Sequence, residues 1–137
     1  MKRISVFISI AAFICLVTAS VYAGSGDIRK NGSVIGQIES NGNVRLNGSS
    51  VGKFESNGDV RKNGSVIGKI ESNGDIRKNG SIVGKIESNG DVRRNGSVIG
   101  KIESNGDVRK NGSVIGKAEN VRKDWAAAFF FFFFLNE

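Results

Sequence analysis

Carboxylates carry the widest chemical reach in this chain, and they recur at a fixed interval. Asp59, Asp75, Asp91 and Asp107 stand sixteen residues apart, as do Glu55, Glu71, Glu87, Glu103 and Glu119. A pair of carboxylates in contrasting environments can hydrolyse a glycosidic bond. Here each acid repeats in a near-identical setting beside Arg and Lys, so the expected role is a solvated cross-strand ion pair worth about 1 kcal/mol or less. The unit that deviates most, with Asn43, Leu46, Ser50 and Phe54, loses an acid and gains no reactive group. A hydrolase is therefore a remote alternative, and no catalytic residue is assigned.

The remaining polar groups point to binding or to nothing. Ser-Asn-Gly-Asp stretches offer oxygen ligands for Ca²⁺, but they lack the spaced acids of a calcium loop. The chain has no His, and its one Cys is Cys15, so neither a metal site nor a cofactor is expected. Basic pairs recur with the acids: Arg29-Lys30, Arg61-Lys62, Arg77-Lys78, Arg93-Arg94, Arg109-Lys110 and Arg122-Lys123. Arranged around a ring they form a candidate anion-binding surface for acidic glycans or lipid headgroups. The interleaved Asp and Glu weaken that field, so a mixed soluble surface is the competing reading. Nucleic acid is not an expected partner.

Residues 1–23 have the features of a secretory signal peptide: Lys2 and Arg3, then an apolar stretch over 4–19, then Val21-Tyr22-Ala23 before Gly24. The apolar stretch is shorter than the roughly 20 residues a spanning helix needs. Ile14 before Cys15 argues against lipidation of that Cys. Cleavage before Gly24 would remove Lys2 and Arg3 and lower the formal charge from +7 to +5. The chain is thus expected to be exported, to the periplasm, the cell surface or the medium.

What positions these groups is a sixteen-residue repeat. Gly26, Gly42, Gly58, Gly74, Gly90 and Gly106 mark six units over 26–119, and residues 58–73 show the unit cleanly. Each unit carries two Asn-Gly pairs, the strongest short-range signal for a two-residue type I′ hairpin turn. Between them lie a four-residue segment (59–62) and an eight-residue segment (65–72), both rich in Val or Ile, and no Pro occurs anywhere. A short strand pairs with only half of a long one, so each long strand is expected to serve two short neighbours. Gly36, Gly52, Gly68, Gly84, Gly100 and Gly116 sit between the halves and predict a bend or bulge. Repeated around an axis, this gives an all-β, closed, pseudo-symmetric shallow barrel. Val66 and Ile70, four apart, are expected on its buried face. The exchange to Ser50 and Phe54 in the second unit then reads as volume compensation, with Ile67 on the opposite face, half-buried.

The pattern breaks after Lys117. Trp125 and three alanines lead into Phe129, Phe130, Phe131, Phe132, Phe133 and Phe134. Residues 120–137 align as a degenerate seventh unit, a closing strand whose rings fill the barrel or cover its mouth. The alternatives are an exposed apolar patch for a membrane or partner, and self-association of an uncharged β-prone run.

Residues 68–77 (Gly-Lys-Ile-Glu-Ser-Asn-Gly-Asp-Ile-Arg) and the Trp125-Ala126-Ala127-Ala128 stretch into poly-Phe resemble the bacterial five-fold β-flower family. The resemblance covers nearly all of residues 24–137 and implies a shallow barrel with petal-like hairpins and no known activity. The chain departs in unit number, with six clear units and a degenerate seventh, so six or seven petals are expected. The combined expectation is an exported, non-enzymatic structural or interaction module of the cell envelope. The alternative is a membrane-associated or lipid-binding protein using Trp125 and the Phe cluster. Envelope polyanions, membrane lipid and self-association are the candidate partners.

Overall fold

The computed structural model describes residues 25–135. The export segment 1–23 and Cys15 lie outside the described residues. Six hairpins follow one another: β1 (Ser25–Lys30) with β2 (Ser33–Glu39), β3 (Asn43–Leu46) with β4 (Ser49–Phe54), and β5 (Asp59–Lys62) with β6 (Ser65–Ile70). The second half continues with β7 (Asp75–Lys78) and β8 (Ser81–Ile86), β9 (Asp91–Arg94) and β10 (Ser97–Ile102), and β11 (Asp107–Lys110) and β12 (Ser113–Ala118). Each strand pairs antiparallel with its neighbours, and β1 pairs with β12 through Ile28↔Ala118, Arg29↔Lys117 and Lys30↔Gly116. The twelve strands form a closed barrel, which leaves no sheet edge open to another chain. There are six petals among the described residues.

The two Asn-Gly pairs of each unit make different turns. Asn31, Asn47, Asn63, Asn79, Asn95 and Asn111 all take φ of 50–52°, followed by Gly at 83–86°. Two consecutive positive φ values are the type I′ geometry expected, and these turns form the petal tips. At the other pair only the Gly has positive φ, 94–99°. There Glu-Ser-Asn-Gly is a four-residue connection between petals, closed by Gly58 N–H to the Glu55 carbonyl at 3.0 Å, with the Asn57 side chain accepting from Asp59 N–H at 2.9 Å. An Asn side chain bonding two residues on is the asx-turn alternative to a left-handed Asn. The expectation that both pairs are I′ turns is corrected accordingly.

Each long strand serves two partners, as its length requires. Strand β6 meets β5 through residues 65–69 and β7 through Gly68, Lys69 and Ile70. The register against β5 shifts between Val60 and Arg61: Val66 faces Arg61, Gly68 faces Val60, and Ile67 is extra. That bulge corrects the expected core. It reverses the alternation between Val66 and Ile70, so Ile70 is buried and Val66 is 49% exposed. The buried positions are the Ile70 type and the short-strand Val60 type: Ile28, Val44, Val60, Ile76, Val92 and Val108 are all fully buried. Ser50 and Phe54 therefore do not compensate each other. Ser50 is exposed and donates to Asn43 at 3.0 Å, while Phe54 is buried against the C-terminal segment.

The expected closing strand is the larger correction. After Val121 the chain turns into the barrel as α1 (Lys123–Ala127) and continues as a π-helical run, Ala128–Phe133. The barrel is all-β and its plug is helical.

The corrected parity gives a direct contrast between two isoleucines. Ile76 is fully buried and Ile82 is 53% exposed. Ile76→Ala is expected to cost about 2–5 kcal/mol, and Ile82→Ala less than about 0.5 kcal/mol, measured by urea unfolding.

Candidate functional site

The six phenylalanines line the barrel axis. Phe129 to Phe131 are completely buried, and Phe132 and Phe133 are 3% and 2% exposed. A Cβ added to Gly116, Gly100, Gly84, Gly68 or Gly52 would strike the ring of Phe130, Phe131, Phe132, Phe133 or Phe134 respectively. The approach is 2.8 Å at Gly116 and Gly52 and closer at the three between. Five consecutive rings thus reach five consecutive petals in reverse chain order. These glycines are required less for bending than for the room a missing side chain leaves; a neighbouring backbone carbonyl closes the same space.

Helix width makes this match possible. Six petals divide a full turn into steps of about 60°, whereas an α-helix advances about 100° per residue and would send adjacent rings to non-adjacent petals. The run is wider. Phe134 N–H and Leu135 N–H both donate to the Phe129 carbonyl, at 3.3 and 3.0 Å, five and six residues back. Phe129 closes the circle of rings, 5.4 Å from Phe130 and 5.5 Å from Phe134 between centroids. The remaining petal has no ring at Gly36; Leu46 fills that place, its Cδ2 3.0 Å from where a Cβ would stand. Leu46 occupies the repeat position that holds a cation in the other petals, so the second unit's departure is explained by packing.

A widened helix leaves its last carbonyls without helical partners, deep in an apolar lumen, where an unmade hydrogen bond is expensive. The second residue of three of the basic pairs meets that need. Lys62 Nζ donates to the Phe133 carbonyl at 3.4 Å, Lys78 Nζ to the Phe132 carbonyl at 3.0 Å, and Arg94 to the Phe131 carbonyl. The same cations lie over the next rings, 5.6 Å from Phe134, 5.7 Å from Phe133 and 5.0 Å from Phe132. Cations at a helix C-terminus also complement its dipole. Lys110 is half-buried at the equivalent position of its petal.

The first residue of each pair faces outward and is otherwise engaged. Arg61, Arg77, Arg93 and Arg109 pair with Glu55, Glu71, Glu87 and Glu103, and each donates to the carbonyl of its own turn glycine at 3.0–3.2 Å. Arg29 and Glu119, 3.9 Å apart, join the first petal to the last. Lys85, Lys101 and Lys117 pair with Asp75, Asp91 and Asp107 at 3.6–3.9 Å. The basic pairs expected to act as one ring thus split into an outer set bound to carboxylates and an inner set on the plug. No group of three or more His, Cys, Asp or Glu suited to a metal occurs among the described residues.

Trp125 lies at the opposite mouth, half-buried, stacked on Phe54 at 5.6 Å with the Arg122 guanidinium 4.7 Å over its ring. Phe54 also meets Phe134 edge-on at 5.8 Å. Beside α1 this mouth holds an open cavity of about 670 Å³, lined by the connections at Glu55, Glu71 and Glu87 and by residues 122–125. The reading of the Phe cluster as an exposed membrane contact is corrected by the burial of Phe129 to Phe133, with Phe134 and Trp125 half-buried. No helix among the described residues is long and apolar enough to cross a membrane.

Adjacent arginines separate the two cation roles. Arg94→Met leaves the Phe131 carbonyl unsatisfied and is expected to cost about 1–3 kcal/mol. Arg93→Met breaks an outward ion pair and is expected to cost about 1 kcal/mol or less. Chemical denaturation of the two variants measures the difference.

No curated protein and no solved structure matches the chain. A family model described as "5-fold beta-flower protein" matches residues 28–134, from the first petal through the last phenylalanine. With most of its length under that match, and with petals and aromatic plug both inside it, the chain belongs to the five-fold β-flower family, here with six petals.

Proposed function

We propose that this β-flower is an exported, non-catalytic interaction module of the cell envelope, a rigid ring that presents repeated surfaces rather than an enclosed site. The observation that carries this reading is the filled lumen. The barrel axis, where a small barrel would hold a ligand, is occupied by the chain's own phenylalanines. The absence of contrast among the acids supports the non-catalytic part. Glu55, Glu71, Glu87 and Glu103 each pair with an equivalent Arg, and acid–base catalysis needs groups with divergent environments. Export is supported by the charged, apolar and small-residue succession of residues 1–23.

Expression of the full chain in a bacterial host, followed by fractionation and intact-mass measurement, tests the reading. The expected product leaves the cytoplasm and begins at Gly24. A full-length chain retained in the cytoplasm would contradict it.

A further inference from the structure

The two rims of the barrel differ in charge and in polarity. One rim carries the Glu-Ser-Asn-Gly connections and α1; the other carries the six type I′ tips. Between Val60 and Ile67 the unit places two cations and no acid, with one cation, Arg45, in the second unit, and the acids stand at or beside the connections. The repeat's outward Arg and Glu match six for six, and its outward Lys and Asp five for five. Within the repeats the excess positive charge therefore falls chiefly on the inner cations beside the tips, among them Lys62, Lys78, Arg94 and Lys110. The end of the Phe run offsets about half a charge of this, and Glu137, outside the described residues, carries one further negative charge. Among the described residues no carboxylate pairs with Lys62, Lys78, Arg94 or Lys110.

The same rim exposes aliphatic side chains. Val34, Val66, Ile82, Val98 and Val114 are 49–53% exposed, and they are the exposed large hydrophobics among the described residues. Each sits two residues beyond its turn glycine, opposite the outward Arg of its own petal. The turn glycines have open space where a side chain would be, so among the described residues nothing covers the tips.

We propose that the tip rim is a docking face for an anionic lipid surface, with the aliphatics at the headgroup boundary and the net charge of the plug-capping cations attracting the headgroups. A surface that combines exposed apolar side chains with a net positive charge fits an anionic bilayer. A soluble polyanion leaves the aliphatics without a partner, and a second copy meeting tip to tip brings like charges together. The proposal rests on the exported-module reading only in placing the rim within reach of lipid.

Vesicle co-sedimentation of the purified, exported protein tests it. The vesicles are phosphatidylcholine alone, or phosphatidylcholine with phosphatidylglycerol. One variant changes Val34, Val66, Ile82, Val98 and Val114 to Ser, the residue the second unit already carries at position 50. A second adds acids at exposed positions that do not touch the plug: Ser65→Glu, Ser81→Glu and Ser97→Glu. Circular dichroism verifies that both remain folded. The expected result is binding to the phosphatidylglycerol vesicles that falls with salt and weakens at least about tenfold in each variant, since each cation near such a surface contributes roughly fivefold. Absence of binding to these vesicles overturns the proposal, as does equal binding to phosphatidylcholine alone. Undiminished binding by the serine variant overturns it in favour of a soluble polyanion. A concentration-dependent dimer in sedimentation velocity that excludes vesicles overturns it in favour of a second copy. A failure of export appears in cell fractionation and leaves the vesicle result standing.

Discussion

The fit of a phenyl ring into the space a glycine leaves is what the rest of this fold depends on. A hairpin of about twelve residues has too little apolar surface to hold itself together. Six of them closed into a ring leave a lumen that small aliphatics alone line but do not fill. Voids of that kind forfeit contacts on every wall. The plug removes the void with one ring at each of five petals, and it does so only because the facing strand position is Gly. Gly and Phe are therefore one device, repeated at Gly52, Gly68, Gly84, Gly100 and Gly116. Where no ring is supplied, at Gly36, Leu46 reaches in instead.

Polar satisfaction follows from that geometry. The helix ends inside the ring of petals with its last carbonyls unbonded, and Lys62, Lys78 and Arg94 approach them from the surrounding strands. Charge on the outer wall is kept separate. There each Arg–Glu pair spans the connection between consecutive petals, and Arg29 with Glu119 completes the circuit. Net charge thus accumulates on one rim for a structural reason, the capping of the plug, and the same arrangement leaves that rim available to an anionic surface.

Much of the barrel was legible in the sequence because its signals are local. The sixteen-residue period, the Asn-Gly tips and the four-to-eight length ratio predict six hairpins and the sharing of each long strand. The buried face was misread because a bulge at Ile67 reverses side-chain parity, and no residue in Val66-Ile67-Gly68 states on which side of the glycine the extra residue falls. The second Asn-Gly pair was misread because its Asn meets the turn through its side chain. The plug was least legible. Phenylalanine favours strands by intrinsic preference, and only the spacing of six petals around the axis makes a wide helix the better solution. The inner cations were grouped with their outward neighbours because adjacency in sequence hides the opposite faces of a strand.

The one-ring-per-petal register is tested most directly by a double-mutant cycle. Gly84→Ala is combined first with Phe132→Ala, its partner across the lumen, and then with Phe130→Ala, which faces Gly116. Unfolding free energies of the single and double variants give the two couplings. The account predicts that removing the Phe132 ring relieves the ring's share of the Gly84→Ala clash, the contact with the Arg93 carbonyl remaining, with a coupling of at least about 1 kcal/mol, and that the Phe130 pair is additive within about 0.5 kcal/mol. Equal couplings, or none in the matched pair, would contradict it.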